Sequence, residues 1–546
     1  MKKGTLLVIS CVFVFFRLSG IAPAAYHHMG ESDAPKFLAT YPDKAGTKLD
    51  NCVLCHRGGT YIQANGRKVV LGSCQWCHHA YGYDGSGNLE ATLNPFGRAY
   101  RDKGRSMAAL RTIENQDSDG DGYANLEEIA AVRYPGDPND DPAKVTASYR
   151  IFTREQLLAM PQHTQFLLMN TAKAVDAYAR FSGVVMEQLL ERAGIDTSAA
   201  KITVYSPDGF SQGHPLEPDD SSDPYVKGTY PAATYYYDRV ADKDKNPRGW
   251  CDYHSPSARG RSHGDPISVA GGLKLLLALR AEGKDLVPGS LGPNNVLKRG
   301  SQGPFALVAP QKNPGPPDQP SNASNRDLIW PFDPSFDHNG GFSTKCATII
   351  KVEPLPAGTT DIDATEAGWS YIEQEKIIVY GALQGPKPVA PRNGTVDVAW
   401  NPVRFCWENS PSAEPTDVVS YRLEYTSVDP SLGQWKSKLV TKNSPEGNSR
   451  ARGVGFALFA ACGMVVAAGT KGKVRSIVVI LLLVLLGTVF MTKAGGTADS
   501  VKATSPVREE TSLILQPNTA YHWRVRDLDK NGGTTMSPVF RFTTGK

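Results

Sequence analysis

Two five-residue segments of this chain repeat one pattern, Cys52-Val-Leu-Cys55-His56 and Cys74-Gln-Trp-Cys77-His78. Two thiols three positions apart can form thioethers with the two vinyl groups of one porphyrin, and the adjoining imidazole can bind its iron. That is the spacing of covalent c-type haem attachment. The pattern implies two haems, one on Cys52, Cys55 and His56 and one on Cys74, Cys77 and His78. The same four cysteines also admit a single zinc site built from two Cys-x-x-Cys knuckles, or disulfides. Neither of those needs a His directly after the second Cys of each pair.

Each motif brings one axial imidazole, and the second axial position separates electron transfer from ligand binding or catalysis. The nearby donors are His27, His28 and His79, with Met29 and Met107 behind them. His27 and His28 stand where an N-terminal arm can fold back over a haem. His79 adjoins its own motif and is better placed to reach the other haem. Trp76 and Tyr61 are candidates to pack against the porphyrins.

A second cluster reads Asp117-Ser-Asp-Gly-Asp-Gly-Tyr-Ala-Asn-Leu-Glu-Glu128. Counted from Asp117, carboxylates stand at positions 1, 3 and 5, glycine at 6 and Glu128 at 12. That is calcium-loop spacing, with Asp117, Asp119, Asp121, the Tyr123 carbonyl, Asn125 and Glu128 as ligands. The competing reading is a solvated acidic turn that starts a helix at Asn125.

The elements that must position these groups fall into a multidomain order. Residues 1–24 read as a signal peptide: Lys2 and Lys3, an apolar run Leu6–Phe16, then Ala22-Pro-Ala24. Residues 25–143 are expected to form a loop-rich α dihaem cytochrome c domain carrying the calcium loop, closed by a proline- and aspartate-rich linker (Pro135, Pro138, Pro142). Residues 148–382 are expected to form an α+β domain. There, Thr153–Met160, Phe181–Ala193 and Ile267–Ala281 read as helices, and Lys201–Tyr205, Phe305–Val308, Ala347–Val352 and Lys376–Tyr380 as strands. Residues 388–449 and 506–546 alternate apolar and polar as the strands of a β-sandwich do.

Two nearly uncharged runs, Gly453–Thr470 and Ser476–Thr492, flank a basic turn with Lys471, Lys473 and Arg475. They read as a transmembrane helical hairpin at 453–492 that interrupts the sandwich, with a buried hairpin as the competing reading. This places the chain on the periplasmic side of a bacterial inner membrane. The net charge of +4, from 59 basic and 55 acidic residues, and the absence of a basic stripe give no basis for a nucleic-acid partner. Of nine cysteines, Cys251 and Cys346 are a pair that an oxidising compartment permits to bridge, without establishing that they do.

With these motifs in order, residues 25–382 resemble the GEGP-motif dihaem c-type cytochromes of metal-reducing bacteria. The likeness rests on Tyr26-His-His28, Ala45-Gly-Thr-Lys-Leu49, Gly72-Ser-Cys-Gln-Trp-Cys-His78, Asn94-Pro-Phe-Gly97, the calcium loop and Arg133-Tyr-Pro-Gly-Asp137. Gly300-Ser-Gln-Gly-Pro-Phe305 occupies the place of the family's name motif with Ser301 and Gln302 where Gly and Glu would stand. The resemblance implies a secreted dihaem protein of electron transport and gives no substrate. Residues 152–160 and 204–209 look faintly like the molybdopterin domain of sulfite-oxidase relatives. Neither Cys251 nor Cys346 has the arginine-rich setting that a molybdenum thiolate requires, so the likeness is one of fold. Trp407 and the Leu-x-Pro-x-Thr-x-Tyr run ending at Tyr521 resemble the core tryptophan and tyrosine corner of fibronectin type III modules.

The leading expectation is an electron carrier between redox protein partners, held at a membrane. The others are a haem enzyme with an open axial position and a docking protein whose sandwich and middle region bind partners.

Overall fold

The computed structural model describes residues 32–442 and 507–546, apart from 51, 63–67, 72, 82–85, 173, 208–209, 243–249, 291–297, 299, 322–329, 363–371, 373, 411–416 and 431–432. The chain is mostly β, with 34% of residues in strands and 16% in helices. The expected combination of an α cytochrome domain, an α+β domain and a sandwich with a membrane hairpin is corrected to this sheet-dominated architecture.

In the first region the helices are short: α1 (Asp33–Thr40), α2 (Ser73–Tyr81), α3 (Leu89–Thr92), α4 (Pro95–Asp102), α5 (Met107–Ile113) and α6 (Asn125–Ala130). Between α1 and α2 lie a 3₁₀ turn, Cys52–Leu54, and an antiparallel hairpin, Gly59–Ile62 with Lys68–Leu71. Chain punctuation explains the lengths. Asn94 caps α4 with Pro95 in its first turn, Gly104 and Arg105 take positive φ just after it, and Ser106 caps α5. Phe37, Leu54, Phe96, Leu110, Ile113 and Ile129 form the core where α1, α4, α5 and α6 meet.

The middle region stacks two sheets. One runs in the order Ser148–Thr153, Lys376–Gly381, Ile349–Glu353, Lys201–Tyr205, Ser211–Pro215; the other centres on Asp176–Val185 and Leu276–Ala281. Two expected helices fail here. Phe181–Ala193 divides into the end of a strand and a helix from Met186, because Gly183 presses against the Leu277 carbonyl of the neighbouring strand. Ile267–Ala281 is two strands separated by Gly271 and Gly272, both at positive φ. Its run Leu275–Leu279 is buried throughout, and a strand covered on both faces lacks the alternation that would tell it from a helix.

The expected linker is also corrected. Arg133 and Asp140 are buried, and Asp140 accepts from the fully buried Lys48 ammonium at 2.6 Å, from Tyr134 N–H at 3.0 Å, and from Thr360 of the middle region. Val145–Thr146 pairs in parallel with Thr359–Thr360, so the first region is sewn to the second. Cys251 and Cys346 are both buried as thiols.

The C-terminal sheets are Lys387–Ala390, Val403–Glu408 and Arg508–Leu513 on one side, and five strands centred on Ala520–Asp529 on the other. They enclose Phe405, Trp407, Tyr421, Trp523 and Phe542. The Tyr521 hydroxyl accepts from the Gln516 N–H at 3.1 Å, closing a tyrosine corner. Arg150 reaches from the middle region to Asp527 through two buried bonds of 3.1 and 2.7 Å.

No helix among the described residues is long and apolar enough to cross a membrane. The longest, α2, has nine residues, a rise of about 14 Å against a hydrocarbon core of about 30 Å. The expected membrane anchor and its inner-membrane placement therefore have no structural counterpart among the described residues. The segment 453–492 on which they were based lies outside the described residues, as does the signal segment 1–24.

Candidate haem and calcium sites

The 3₁₀ turn of the first motif winds Cys52, Cys55 and His56 onto one wall. His56 N–H donates to the Cys52 carbonyl at 2.8 Å and Cys55 N–H to the same oxygen at 3.2 Å. All three side chains line a single cavity of about 910 Å³, its open mouth included. Its other walls are largely apolar, with Phe37, Leu49, Leu54, Leu89, Leu93 and Leu110, and its charged groups are Asp33, Asp50, Arg101 and Arg105. Apolar walls with a few charges are the usual chemistry of cofactor sites. The donor set fits a c-type haem, with two thiols and an imidazole on one face; the arginines on the cavity are paired, Arg105 with Asp33 and Arg101 with Asp102.

The wall is held by the segment Thr92–Gly97. Asn94 donates through Nδ2 to the Val53 and Leu54 carbonyls, both at 3.0 Å, and accepts through Oδ1 from Gly97 N–H at 2.8 Å. Asn94 N–H also donates to the Cys55 carbonyl at 2.9 Å. A Cβ on Gly97 would lie 2.1 Å from the Cys55 carbonyl oxygen, so only glycine lets α4 pass this close. A Cβ on Gly136 would likewise strike the Asn94 side chain. Asn94-Pro-Phe-Gly97 and Tyr134-Pro-Gly136 are thus clamps on the first motif. Thr92 completes the wall: fully buried, its hydroxyl lies 3.0 Å from His56 Nδ1.

The second motif lies on α2. The side chains of Cys74 and His78 are outside the described residues, and Cys77 is half-buried. Trp76 donates its indole N–H to the Ala91 carbonyl at 3.1 Å, and its ring lies where a Cβ on Gly59 would be. Ala91 adjoins Thr92, so both motifs dock on the single turn α3. His79 is exposed and stacks on Tyr61 with ring centres 3.8 Å apart. His27 and His28 lie outside the described residues, five or six positions before Asp33, which lines the first cavity.

In the acidic loop, ligand oxygens of Asp117, Asp119 and Asp121 lie within 4.8 Å of one another. Gly120 and Gly122 take positive φ, and their N–H groups donate to Asp117 at 2.7 and 2.9 Å. Glu128 and Asn125 are fully buried, and both Glu128 oxygens, Asn125 Oδ1, Asp119 Oδ2 and Asp121 Oδ2 have no hydrogen-bond donor. Burial first, then Asp119, Asp121 and Asp117, push the Glu128 carboxyl up to about 9; burial and Asp121 push Asp119 to about 6. The ligands that come together are Asp117, Asp119 and Asp121, while Glu128 and Asn125 add buried oxygens without donors; such oxygens suit a hard divalent cation, calcium above all. Tyr123 N–H donates to Asp121 at 2.9 Å, which sets the turn at the carbonyl position.

The motifs were visible in the sequence; Thr92 and the Lys48–Asp140 pair were not. An Asn-Pro helix start at Asn94 was a readable signal, whereas a threonine accepting from an imidazole 36 positions away leaves none.

No family model and no curated protein matches the chain, so the dihaem resemblance stands on its motif residues alone. Among solved structures, the chain is similar over 30% of its length to an α-L-rhamnosidase of Streptomyces avermitilis (14% identity, 11% of that chain, TM-score 0.15). It is similar over 31% to the FN1–FN3 domains of chicken CNTN1 (13% identity, 36% of that chain, TM-score 0.14). A purple acid phosphatase from yellow lupin seeds is similar over 31% (16% identity, 21% of that chain, TM-score 0.15). The chain spans about a tenth to a third of the length of these structures, and likenesses at such TM-scores carry no argument.

Proposed function

We propose that this chain is a dihaem c-type cytochrome that carries electrons between redox protein partners and holds one calcium ion in its first region. The observation that supports it best is the single apolar cavity lined at once by Cys52, Cys55 and His56. When bound, the two haems would supply one-electron redox chemistry. The chain's own residues do the rest. Cys52 and Cys55 offer thioether sulfurs, His56 an imidazole, and the leucine walls exclude water. The docking of Trp76 and His56 on the same turn keeps the two attachment segments close.

A second reading, a haem enzyme with an open axial position, has one observation in its favour. Among the described residues, His56 is the sole His or Met on the cavity. Of the expected distal ligands, His27 and His28 lie outside the described residues and His79 is not on this cavity.

Full-length protein made in a host competent for c-type attachment should carry two covalent haems and be low-spin and unresponsive to carbon monoxide. Cys52→Ala with Cys55→Ala should leave one. A preparation containing zinc in place of haem would sink the proposal. Carbon monoxide binding by the wild type would transfer support to the enzyme reading.

A further inference from the structure

Thr92 has only one hydroxyl proton, and the structure shows where it goes. Oγ1 lies 2.7 Å from the Leu89 carbonyl, which can only accept, so the hydroxyl donates there. The same oxygen lies 3.0 Å from His56 Nδ1. With its proton committed to Leu89, Oγ1 must accept, and His56 Nδ1 must be the donor. The imidazole is thereby fixed as the Nδ1–H tautomer, with the lone pair on Nε2. Thr92 itself is fully buried, and both bonds are half-buried. Its backbone is fixed too: the Thr92 carbonyl accepts from Arg57 N–H at 2.8 Å, and His56 bridges to Leu93.

We propose that Thr92 is the positioning residue of the first haem site: its hydroxyl sets the tautomer and ring orientation of His56 and tunes its strength as an iron ligand. This rests on the dihaem reading above. A hydrogen bond from the far nitrogen of a ligating imidazole fixes the ring and raises its basicity. A more basic imidazole stabilises the oxidised iron and lowers the reduction potential, which makes second-shell hydrogen bonding one of the protein's controls on a haem. Thr92 supplies that control from a side chain, so substitution can remove it while leaving Cys52, Cys55 and His56 in place.

The test is a redox titration of full-length holoprotein with both haems counted. Thr92→Val, which keeps the shape and removes the oxygen, should shift one of the two transitions upward and leave the other in place. Thr92→Ser, which restores the oxygen, should return the shifted transition towards its wild-type position. Independently of any variant, wild-type protein labelled with ¹⁵N-histidine should show a slowly exchanging Nδ1-bound proton on His56. Two attached haems with both transitions unmoved in Thr92→Val, or a wild-type spectrum without that proton, would overturn the role of Thr92 and leave the dihaem reading intact. Wild-type protein with no haem on Cys52 and Cys55 would overturn both.

Discussion

The first region and the middle region solve stability in opposite ways. The middle region closes on itself: two sheets bury a continuous run of Leu, Val, Ile and Phe from Phe152 to Leu383. The first region has a small core around Phe96 and Leu110, and much of the space beside it is the cavity of the first motif. A small core seldom suffices alone, and metals or covalent groups commonly make up the difference. What holds the first region is a set of single contacts that admit no substitute: Gly97 against Cys55, Asn94 across the Cys52–Leu54 turn, and Glu128 among the loop aspartates. The difference teaches that a region shaped around something else should fail at points, and a region shaped around itself should fail gradually.

The sharpest point is Gly97. Alanine there puts a carbon 2.1 Å from a backbone oxygen, and neither backbone can swing aside. Overpacking typically costs 1–3 kcal/mol, and a backbone clash belongs at or above the top of that range, so Gly97→Ala should lose about 3 kcal/mol or more. Attachment at the first motif should fall with it. Gly59→Ala is the internal comparison: its clash is with the half-buried Trp76 ring, which can move, so about 1 kcal/mol is expected. Urea melts of both variants, with haem counted per chain, separate them. Equal losses would show that the clamp at Cys55 is not special.

The middle region has its own ionic weak point, and it sharpens the contrast because it lies in neither motif. His214 is fully buried on an edge strand, donating from Nδ1 to the Pro224 carbonyl at 3.0 Å. Burial lowers its pKa to about 4 from an ordinary 6.5. The unfolded chain therefore takes up the proton first, and stability conferred above pH 6.5 is lost as the pH falls towards 4. At 1.36 kcal/mol per unit the loss approaches about 3 kcal/mol. It is best read as the difference between wild type and His214→Gln, which cancels other titrating groups. A difference that stays constant from pH 7 to 4 would refute it.

Calcium removal returns to the first region. Asn125 donates through Nδ2 to the Ile113 carbonyl at 2.7 Å, and Ile113 ends the helix whose Leu110 lines the cavity. A cation held at a hundredfold excess over its dissociation constant adds about 2.7 kcal/mol to stability. Chelation should therefore lower the melting temperature of the wild type and leave that of Glu128→Gln nearly unchanged. A chelator that shifts both alike would point away from this loop.

How much of this could be read beforehand follows from the range of each interaction. The Cys-x-x-Cys-His repeats and the aspartate spacing are local, and local spacing survives in sequence. The strands Val418–Thr426 and Ala520–Asp529 alternate because one face meets solvent, so they too were legible. Within the expected helix Ile267–Ala281, the strand Leu276–Ala281 has both faces covered, and periodicity then says nothing. The proline-rich stretch 135–142 looked like a linker because its composition is that of one. Asp140 within it is buried against Lys48, 92 positions upstream, which composition does not reveal. Thr92 was unreadable for the same reason.

The smallest of these effects asks what kind of clamp Asn94 is. Its amide has one workable orientation: Oδ1 takes the Gly97 N–H, and Nδ2 gives to two carbonyls of the Cys52–Leu54 turn. Asn94→Ala removes all three bonds, and one cap together with two buried carbonyls left without a donor should cost about 2 kcal/mol. Asn94→Asp is the discriminating variant. It keeps the helix cap, where a carboxylate is at least as good an acceptor, but turns both donors into acceptors facing carbonyl oxygens in a buried site. If Asn94 matters as a helix cap, Asp should behave like the wild type. If it matters because it ties the Cys52–Leu54 turn to α4, Asp should be no better than Ala, since burying a charge against two carbonyls adds repulsion to the lost bonds. The geometry favours the second outcome, because two of the three bonds reach back across the motif and only one serves the helix.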